Sequence, residues 1–238
     1  MNEIVRGLLA AWHGGPLYPA DFTRQLSEAD AYAIQEAVEA GLAHAAKAGA
    51  RAWKAGGRDH LTAAPLPRVL ASGSEWVPCT EAPLLVEAEV SLRLSKAPSR
   101  PDELPACIAT MCASIEIVST RMVNGLQAPA HWKLADHQLH GVSIAGKEIP
   151  YVARSWAAQR GRIVISGRAT EFAGSHPNGD PAFPLAWLMQ HAAARARPLE
   201  ANDFIMTGSW IVAEAQRGDV VEAHFDDLGS AAVRIGGR

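Results

Sequence analysis

Cysteine is scarce in this sequence, and its cysteines form no recognisable ligand or disulfide motif. The 238 residues contain three cysteines, which stand at Cys79, Cys107 and Cys112 without any C-x-x-C spacing. Because three cysteines cannot all be bridged within one chain, we expect a reducing compartment and no zinc site. Any metal ion that the protein binds should therefore have oxygen ligands.

Long apolar runs and clusters of basic residues are missing as well. No apolar stretch approaches the roughly 18 residues of a membrane-spanning helix, and the N-terminal segment with its Glu3 does not have the pattern of a secretory signal. The 22 basic residues are balanced by 25 acidic ones, and no run of Lys and Arg is suited to follow a phosphate backbone. We therefore expect a cytoplasmic protein that binds neither nucleic acid nor a membrane.

The composition is sufficient for a sizeable core, since 48% of the residues are hydrophobic and only 20% are charged. The length fits one large domain. We divide it into a helical N-terminal cap, residues 1–50, and one compact mixed β unit, residues 51–238. Within the cap, Ser27 and Asp30 form a capping-box pattern that predicts the start of an amphipathic helix, and Gly49 predicts its end.

Strand patterns dominate the rest of the chain. Strict alternation over 86–94 predicts a strand with one apolar face. The segment 107–125 changes from small residues compatible with a helix to residues that favour a strand. The stretch 54–81, rich in Gly and Pro, predicts a long functional loop. Further strands are predicted over 141–146, 161–170, 203–212 and 219–236, with a turn at 226–229, and a helix over 181–196. This order favours an α+β fold over a doubly wound sheet.

Glutamates on two predicted strands are the strongest candidates for chemistry. Glu87 and Glu89 lie two residues apart and project from the same strand face. That face is equally compatible with the solvated side of a half-buried strand. Glu116 stands among Ile115, Ile117 and Val118, where an unpaired carboxylate would cost several kcal/mol.

Two partners for Glu116 are consistent with the residues alone. One is Arg121, in an ion pair inside the core. The other is a divalent cation shared with Glu87 and Glu89, which would offset both the repulsion within the pair and the burial of Glu116. Ligand sets of carboxylates without His or Cys favour Mg²⁺, Mn²⁺ or Ca²⁺ over zinc.

Eight short segments occur in an order that resembles a known enzyme family. They are AYAIQ (31–35), WKAGG (53–57), EAEVSLRL (87–94), SIEIVSTRM (114–122), LADHQLHGVSIAG (134–146), ISGRATEFAGSHP (165–177), PLAWL (184–188) and DFIMTGSW (203–210). Together they resemble the 2-keto-4-pentenoate hydratase and 4-oxalocrotonate decarboxylase group of the fumarylacetoacetate hydrolase superfamily. The resemblance extends over roughly residues 30 to 236.

The resemblance implies a fold, a cofactor and several site residues. It implies a mixed β roll with helices packed outside, a homo-oligomer, possible pairing with an enzyme of the same pathway, and a small 2-oxo acid substrate. It implies Mg²⁺ or Mn²⁺ bound by three acidic residues, which correspond here to Glu87, Glu89 and Glu116. It further implies catalytic roles for Lys54 and Asp136. Without the resemblance, Lys54 would be read as a surface lysine and Asp136 as a residue of a local turn.

Other candidates surround this set. His137, where the family pattern has Asn, and His60 are possible general bases, because histidine titrates near neutral pH, although His60 is equally compatible with a surface loop. The list of candidate substrate-binding residues is Ser166, Gly167, Thr207 and His60, the first three because they offer hydroxyl or backbone donors at strand ends. The glycines are also compatible with plain turns.

The sequence also departs from the family pattern in two segments of the expected pocket. The stretch 55–86 is shorter than usual, and the turn Asn178-Gly179-Asp180 lengthens a segment that is normally tighter. We expect Lys54, partly desolvated, to have a lowered pKa and to move protons, or in its charged form to hold a substrate carboxylate.

The expected reaction is the hydration of a 2-hydroxy-2,4-dienoate to a 4-hydroxy-2-oxo acid. A divalent ion that the 2-oxo acid chelates would stabilise negative charge on the 2-oxygen. The same chemistry also serves a decarboxylase or a C–C hydrolase. A catalytically weak protein with an altered pocket is the remaining alternative.

Overall fold

A computed structural model describes residues 1–43 and 51–237 of the chain. Its helices are α1 (Asn2–Trp12), α2 (Glu28–Ala43), α3 (Leu104–Cys107), α4 (Ala130–Ala135) and α5 (Leu185–Ala194). Its strands are β1 (Ala52–Gly56), β2 (Thr62–Leu66), β3 (Val69–Ala71), β4 (Ser74–Trp76), β5 (Leu84–Leu94), β6 (Ile108–Val118), β7 (His140–Ala145), β8 (Ile149–Pro150), β9 (Arg160–Ile165), β10 (Arg168–Ala173), β11 (Phe204–Ala215), β12 (Val220–Phe225) and β13 (Gly229–Ile235). Short 3₁₀ turns cover Pro101–Glu103, Gly125–Gln127 and His137–Leu139.

The strands form two mixed sheets. The larger, eight-stranded sheet has the order β2-β1-β11-β5-β6-β7-β3, with β8 paired to β6. The smaller, five-stranded sheet has the order β10-β9-β12-β13-β4. Parallel pairs join β1 to β11, β3 to β7 and β4 to β13, and the other pairs are antiparallel. The predicted α+β class with mixed sheets is confirmed.

Strand β5 is buried on its apolar face and in the middle of its polar face. The apolar residues of the 86–94 pattern pack in the core that the two sheets and α5 share, and Val86, Val90 and Leu94 are fully buried. On the opposite face, Glu89 and Ser91 are also completely buried. The predicted alternation is therefore correct, but the middle of its polar face, at Glu89 and Ser91, is enclosed by the protein, while Glu87 and Arg93 are half-buried. The acidic pair Glu87 and Glu89 therefore needs positive charge or hydrogen-bond donors nearby.

The prediction of one long loop over 54–81 is wrong, because half of this stretch forms strands β1 to β4. Three of these strands have a partner distant in sequence, since β1 pairs with β11, β3 with β7 and β4 with β13, whereas β2 pairs with β1. Local Gly and Pro content favours turns, but pairing with an existing sheet supplies the hydrogen bonds that keep these short segments extended.

Two further element predictions needed correction. The segment 107–125 does not start as a helix, because β6 begins at Ile108 and runs between β5 and β7. The small residues Cys112, Ala113 and Ser114 are fully buried in that central strand. The segment 161–170 is not one strand but the hairpin of β9 and β10. The strands over 141–146, 203–212 and 219–236, and the helix over 181–196, are confirmed within a few residues at their ends.

The N-terminal helices pack on one flank of the larger sheet. Helix α2 begins after Ser27, whose Oγ and backbone N–H both donate to Asp30 Oδ2 while Asp30 N–H donates to Ser27 Oγ, as the capping box predicts. The predicted cap Gly49 lies outside the described residues. Helices α1 and α2 share a core with α4. The division into a cap and a catalytic unit stays a prediction.

None of the described helices combines the length and the apolar character that a bilayer crossing demands.

Candidate metal centre

Three carboxylates converge at the centre of the larger sheet. Glu87 and Glu89 project from the same face of β5, and Glu116 on β6 stands directly opposite Glu87 in the antiparallel register. One carboxylate oxygen from each residue lies within 4.8 Å of the others. Side chains two residues apart on a strand share a face, and β5 and β6 are neighbours in the sheet. Glu116 therefore meets Glu87 and Glu89 although it is distant from them in sequence.

The ammonium of Lys54 and a ring nitrogen of His140 hold Glu116 from two sides. Lys54 Nζ on β1 lies 2.6 Å from Glu116 Oε2, and His140 Nδ1 lies 3.0 Å from Oε1. Burial alone would raise the pKa of Glu116, but Lys54 and His140 outweigh it and lower this pKa to about 2. Since Glu116 is ionised and accepts this bond, the N–H of His140 lies on Nδ1.

The pair on β5 has the opposite titration behaviour. Burial, followed by the charges of Glu116 and Glu87, raises the pKa of Glu89 well above its ordinary value. Burial also raises the pKa of Glu87, which the ammonium of Lys54 only partly counteracts. Lys54 therefore compensates one of the three charges, and the site still favours additional positive charge.

A bulge in β11 supplies a backbone donor to this cluster. The pairing of β11 with β5 shifts register on both sides of Ser209, and Gly208 N–H donates to Glu89 Oε2 at 3.1 Å. The other oxygen, Glu89 Oε1, is buried and accepts no hydrogen bond from the described residues. Three hard oxygen donors, one of them unpaired, fit a divalent cation such as Mg²⁺ or Mn²⁺.

Lys54 lies beside the carboxylates, but the predicted lowering of its pKa is wrong. Burial by itself would lower the pKa of Lys54, yet Glu116, Glu87 and Glu89 raise it above the ordinary value for lysine. Without a bound cation Lys54 is thus fully protonated near neutral pH. The direction follows from three close carboxylates, whose attraction exceeds the cost of burying the ammonium.

Arg121 is not the partner of Glu116, contrary to one of the two sequence readings. It forms a fully buried pair with Asp136, with its Nε 2.6 Å from Asp136 Oδ1. Asp136 Oδ2 accepts from Thr120 Oγ1 and from the backbone N–H of Arg121, each at 2.9 Å. Arg121 Nη1 also donates to the backbone carbonyl of His140. These contacts occupy the Asp136 carboxylate outside the glutamate cluster, and they support the strand that carries His140.

His137 is buried, and its surroundings lower the pKa of its ring. Its ring meets the Trp12 ring edge-on, with centroids 6.1 Å apart. Burial, together with the charges of Arg121 and His140, lowers its pKa to about 3. The expected titration of His137 near neutral pH is therefore wrong, because its surroundings disfavour the charged ring.

The predicted substrate-binding residues are divided between two regions. Thr207 precedes the Gly208 donor at the β11 bulge, so it lies next to the cluster. His60 is exposed on the surface and meets Glu28. Ser166 and Gly167 form the turn between β9 and β10, where Ser166 Oγ donates to Asp219 Oδ1. No hydrogen bond or ion pair within residues 1–43 and 51–237 joins these last three to the glutamates.

Two histidines near the cluster were not identified from the sequence. His140 opens β7 and binds Glu116, and His176 donates through Nε2 to the carbonyl of Thr207. Both are almost completely buried. The only sequence signal was a histidine within an apolar stretch, which does not distinguish between the nine histidines of the chain.

The comparisons with known proteins identify the class of protein that this fold and site define. The family described as fumarylacetoacetate (FAA) hydrolase C-terminal matches residues 57–236. The chain belongs to this family, as its sequence motifs suggested.

Solved structures of the same fold include several with metal ions. The 4-oxalocrotonate decarboxylase from Pseudomonas putida G7, complexed with magnesium and adipate, is 20% identical with a TM-score of 0.80, and the match covers 99% of this chain and 98% of that one. The fumarylpyruvate hydrolase from Pseudomonas aeruginosa, in complex with Mn²⁺ and pyruvate, is 14% identical with a TM-score of 0.52, over 79% of this chain and 90% of that one. The 2-hydroxyhepta-2,4-diene-1,7-dioate isomerase from Mycobacterium marinum is 13% identical with a TM-score of 0.58, over 79% and 75%.

Proposed function

We propose that this protein is a lyase of small 2-oxo acids that requires Mg²⁺ or Mn²⁺. The observation that carries the proposal is the cluster of Glu87, Glu89 and Glu116, the last two fully buried, beside the ammonium of Lys54. Structures of the same fold that are complexed with magnesium and with Mn²⁺ support the choice of cation. The reaction proposed first is the hydration of a 2-hydroxy-2,4-dienoate to a 4-hydroxy-2-oxo acid.

Glu87, Glu89 and Glu116 would hold the cation. When bound, it would act as a Lewis acid that stabilises negative charge developing on the substrate. The residues around it have separate tasks. His140 Nδ1–H and Lys54 Nζ orient the two oxygens of Glu116, and Gly208 N–H orients one oxygen of Glu89. The carboxylates are thereby preorganised, so their positions need little adjustment when a ligand arrives.

Lys54 is the group in the cluster suited to bind the substrate. Its ammonium has three N–H donors, and the contact with Glu116 uses one of them. A second donor can bind the substrate carboxylate or an oxygen that gains negative charge. Because the neighbouring glutamates raise the pKa of Lys54, this donor carries a full positive charge when the substrate arrives.

Decarboxylation is the second candidate reaction. The 4-oxalocrotonate decarboxylase of Pseudomonas putida G7 matches nearly the whole length of this chain, whereas the hydrolase and the isomerase match about four fifths of it. A decarboxylase would need the same carboxylate cluster and the same charged Lys54, so the site residues alone do not separate the two reactions.

A kinetic screen with two signals tests the proposal. The metal-loaded protein is mixed with a 2-hydroxy-2,4-dienoate and, separately, with a vinylogous 2-oxo diacid, while dienoate absorbance and CO₂ are followed. Loss of absorbance without CO₂ supports hydration, and CO₂ release supports decarboxylation. Turnover should disappear with a chelator and in Glu116→Gln. Absence of both signals from the metal-loaded protein would contradict the proposed lyase.

We also propose that the chain forms a homo-oligomer in the cytoplasm and that it pairs with an enzyme of the same pathway. The homo-oligomer and the partner enzyme are implied by the family resemblance. Light scattering after size-exclusion chromatography would test the first of them.

A further inference from the structure

The segment His176-Pro177-Asn178 packs against the β11 bulge that carries Gly208. His176 is 5% exposed. Its Nε2 donates to the carbonyl oxygen of Thr207 at 3.1 Å, and its Nδ1 accepts from the backbone N–H of Asn178 at 3.3 Å. Only a neutral ring with its proton on Nε2 satisfies both contacts. Burial lowers the pKa of His176, which favours that neutral form.

The same segment is tied to the end of β1. Asn178 Nδ2 donates to the carbonyl oxygen of Gly57 at 3.0 Å. If the Asn178 amide were flipped, its Oδ1 would face the carbonyl oxygen of Gly57, so the orientation with Nδ2 toward Gly57 is the favourable one. Asn178 belongs to the lengthened turn, and strand β1 carries Lys54. The segment therefore connects the strand of Lys54 with the bulge of β11.

The peptide group between Thr207 and Gly208 links His176 to Glu89. Its carbonyl oxygen accepts from His176 Nε2, and its N–H donates to Glu89 Oε2 at 3.1 Å. A peptide group is planar and its C=O and N–H point in opposite directions. A donor that fixes the carbonyl therefore also fixes the direction of the N–H on the other side.

The surroundings leave this peptide group little freedom. Thr207 Oγ1 donates to the carbonyl of Val90 on the neighbouring strand. Gly208 has a φ of +119°, and a Cβ on it would lie 3.4 Å from Pro177 Cγ. Hydrogen bonds in a chain also polarise one another, so the bond from His176 strengthens the N–H that Glu89 accepts.

We infer that His176 is a positioning residue, which orients Glu89 for cation binding through the Thr207–Gly208 peptide group. The effect of His176 on cation binding rests on the proposed function, in which the three glutamates bind a divalent cation. His176 touches neither the cation nor the substrate in this role. Its effect is transmitted by one hydrogen bond on each side of a rigid unit.

Two substitutions of His176 separate this role from simple packing. His176→Leu fills the space without a donor, whereas His176→Gln keeps an N–H at about the position of Nε2. The matched control is His224→Leu, a partly buried histidine on β12 that contacts Ser230 in the other sheet. Hydrogen exchange of the Gly208 amide is measured by NMR in the metal-free proteins, with the Ala88 amide of β5 as reference. Mn²⁺ affinity is measured by calorimetry.

We expect His176→Leu to accelerate exchange at Gly208 relative to Ala88 by about tenfold and to weaken Mn²⁺ binding by about tenfold, the size of one lost hydrogen bond. His176→Gln should restore both values to within about threefold of the wild type, and His224→Leu should leave both unchanged. Equal acceleration at Gly208 and Ala88 would reveal a general loss of stability and would overturn the inference.

Two other outcomes have distinct meanings. Faster exchange at Gly208 with wild-type Mn²⁺ affinity would overturn the inference, since Glu89 would not depend on His176. A wild-type protein that binds no Mn²⁺ would instead refute the proposed function. In that case the exchange rate of the Gly208 amide in His176→Leu, relative to that of Ala88, still tests whether His176 holds the peptide group.

Discussion

Glu116 is held by Lys54 and His140, and this arrangement separates its properties from those of the other two glutamates. Its pKa is lowered to about 2, whereas burial and neighbouring negative charge raise the pKa of Glu89. Glu116 is therefore a permanent negative charge at the centre of the cluster. Its removal should affect the cation more than the fold, because the other two carboxylates still accompany Lys54.

Glu116→Gln should weaken Mg²⁺ or Mn²⁺ binding more than about 100-fold, since changes that only support a ligand already cost about 10- to 100-fold. The circular dichroism spectrum should stay close to that of the wild type. Calorimetric titration measures the affinity. Glu171→Gln, on the exposed strand β10, is the matched control. Wild-type affinity in Glu116→Gln would remove this residue from the metal centre.

Lys54→Met should lower turnover by about 100-fold or more, because a charged donor at the substrate is lost. Cation affinity should stay the same or increase, since Lys54 carries a positive charge close to the site. The measurements are kcat and the dissociation constant of Mn²⁺, with the exposed Lys96→Met as control. An unchanged kcat would return Lys54 to a structural role.

At the scale of elements, the pair of Arg121 and Asp136 joins the end of β6, the end of α4 and the start of β7. Both side chains are completely buried, and Arg121 also binds the carbonyl of His140. Burial raises the pKa of Asp136 although Arg121 stands next to it. The contacts of Arg121 and Asp136 therefore stabilise the segment that carries His140.

Asp136→Ala should lower the free energy of unfolding by about 3 to 5 kcal/mol, because it leaves the Arg121 guanidinium buried without its counterion. Urea denaturation measures the change. The control Asp102→Ala, in an exposed pair with Arg100, should change it by no more than about 0.5 kcal/mol. If Asp136→Ala abolished turnover at unchanged stability, the catalytic role predicted for Asp136 would be the better explanation.

At the scale of the whole molecule, buried histidines make the fold sensitive to acid. The pKa of His137 falls from its ordinary 6.5 to about 3, and that of the half-buried His191 falls to about 4. Between the folded and unfolded values, the unfolded chain binds protons that the folded chain does not. These two histidines therefore lower the free energy of unfolding progressively as the pH falls from 6.5 toward 3.

His137→Asn should reduce this dependence on pH. The loss of unfolding free energy between pH 6.5 and pH 5 should be smaller than in the wild type by about 1.4 kcal/mol per pH unit, the contribution of one proton. Urea denaturation at both pH values gives the slopes. Comparing slopes and not absolute values removes the effect of the positive φ at residue 137, which Asn tolerates well. Equal slopes would show that His137 does not control the proton uptake.

The parts of the fold that were predictable depend on local patterns. The alternation in β5, the capping box at Ser27 and Asp30, and the helix α5 follow from periodicities of two and 3.6 residues and from local hydrogen bonds. The meeting of Glu87 and Glu89 on one face has the same origin. Elements that depend on distant partners, such as the short strands β1, β3 and β4, were not predictable in this way.

The sequence by itself determined the set of carboxylates and, through its motifs, the family. Only the tertiary structure decided the partners of these carboxylates: Lys54 and His140 contact Glu116, and Gly208 contacts Glu89. It also decided that Arg121 pairs with Asp136 and not with Glu116. The physical reason is that a strand pattern specifies which face a side chain occupies, whereas strand order, register and bulges specify its neighbours. Burial and neighbouring charge then set each pKa, and neither is present in the order of residues alone.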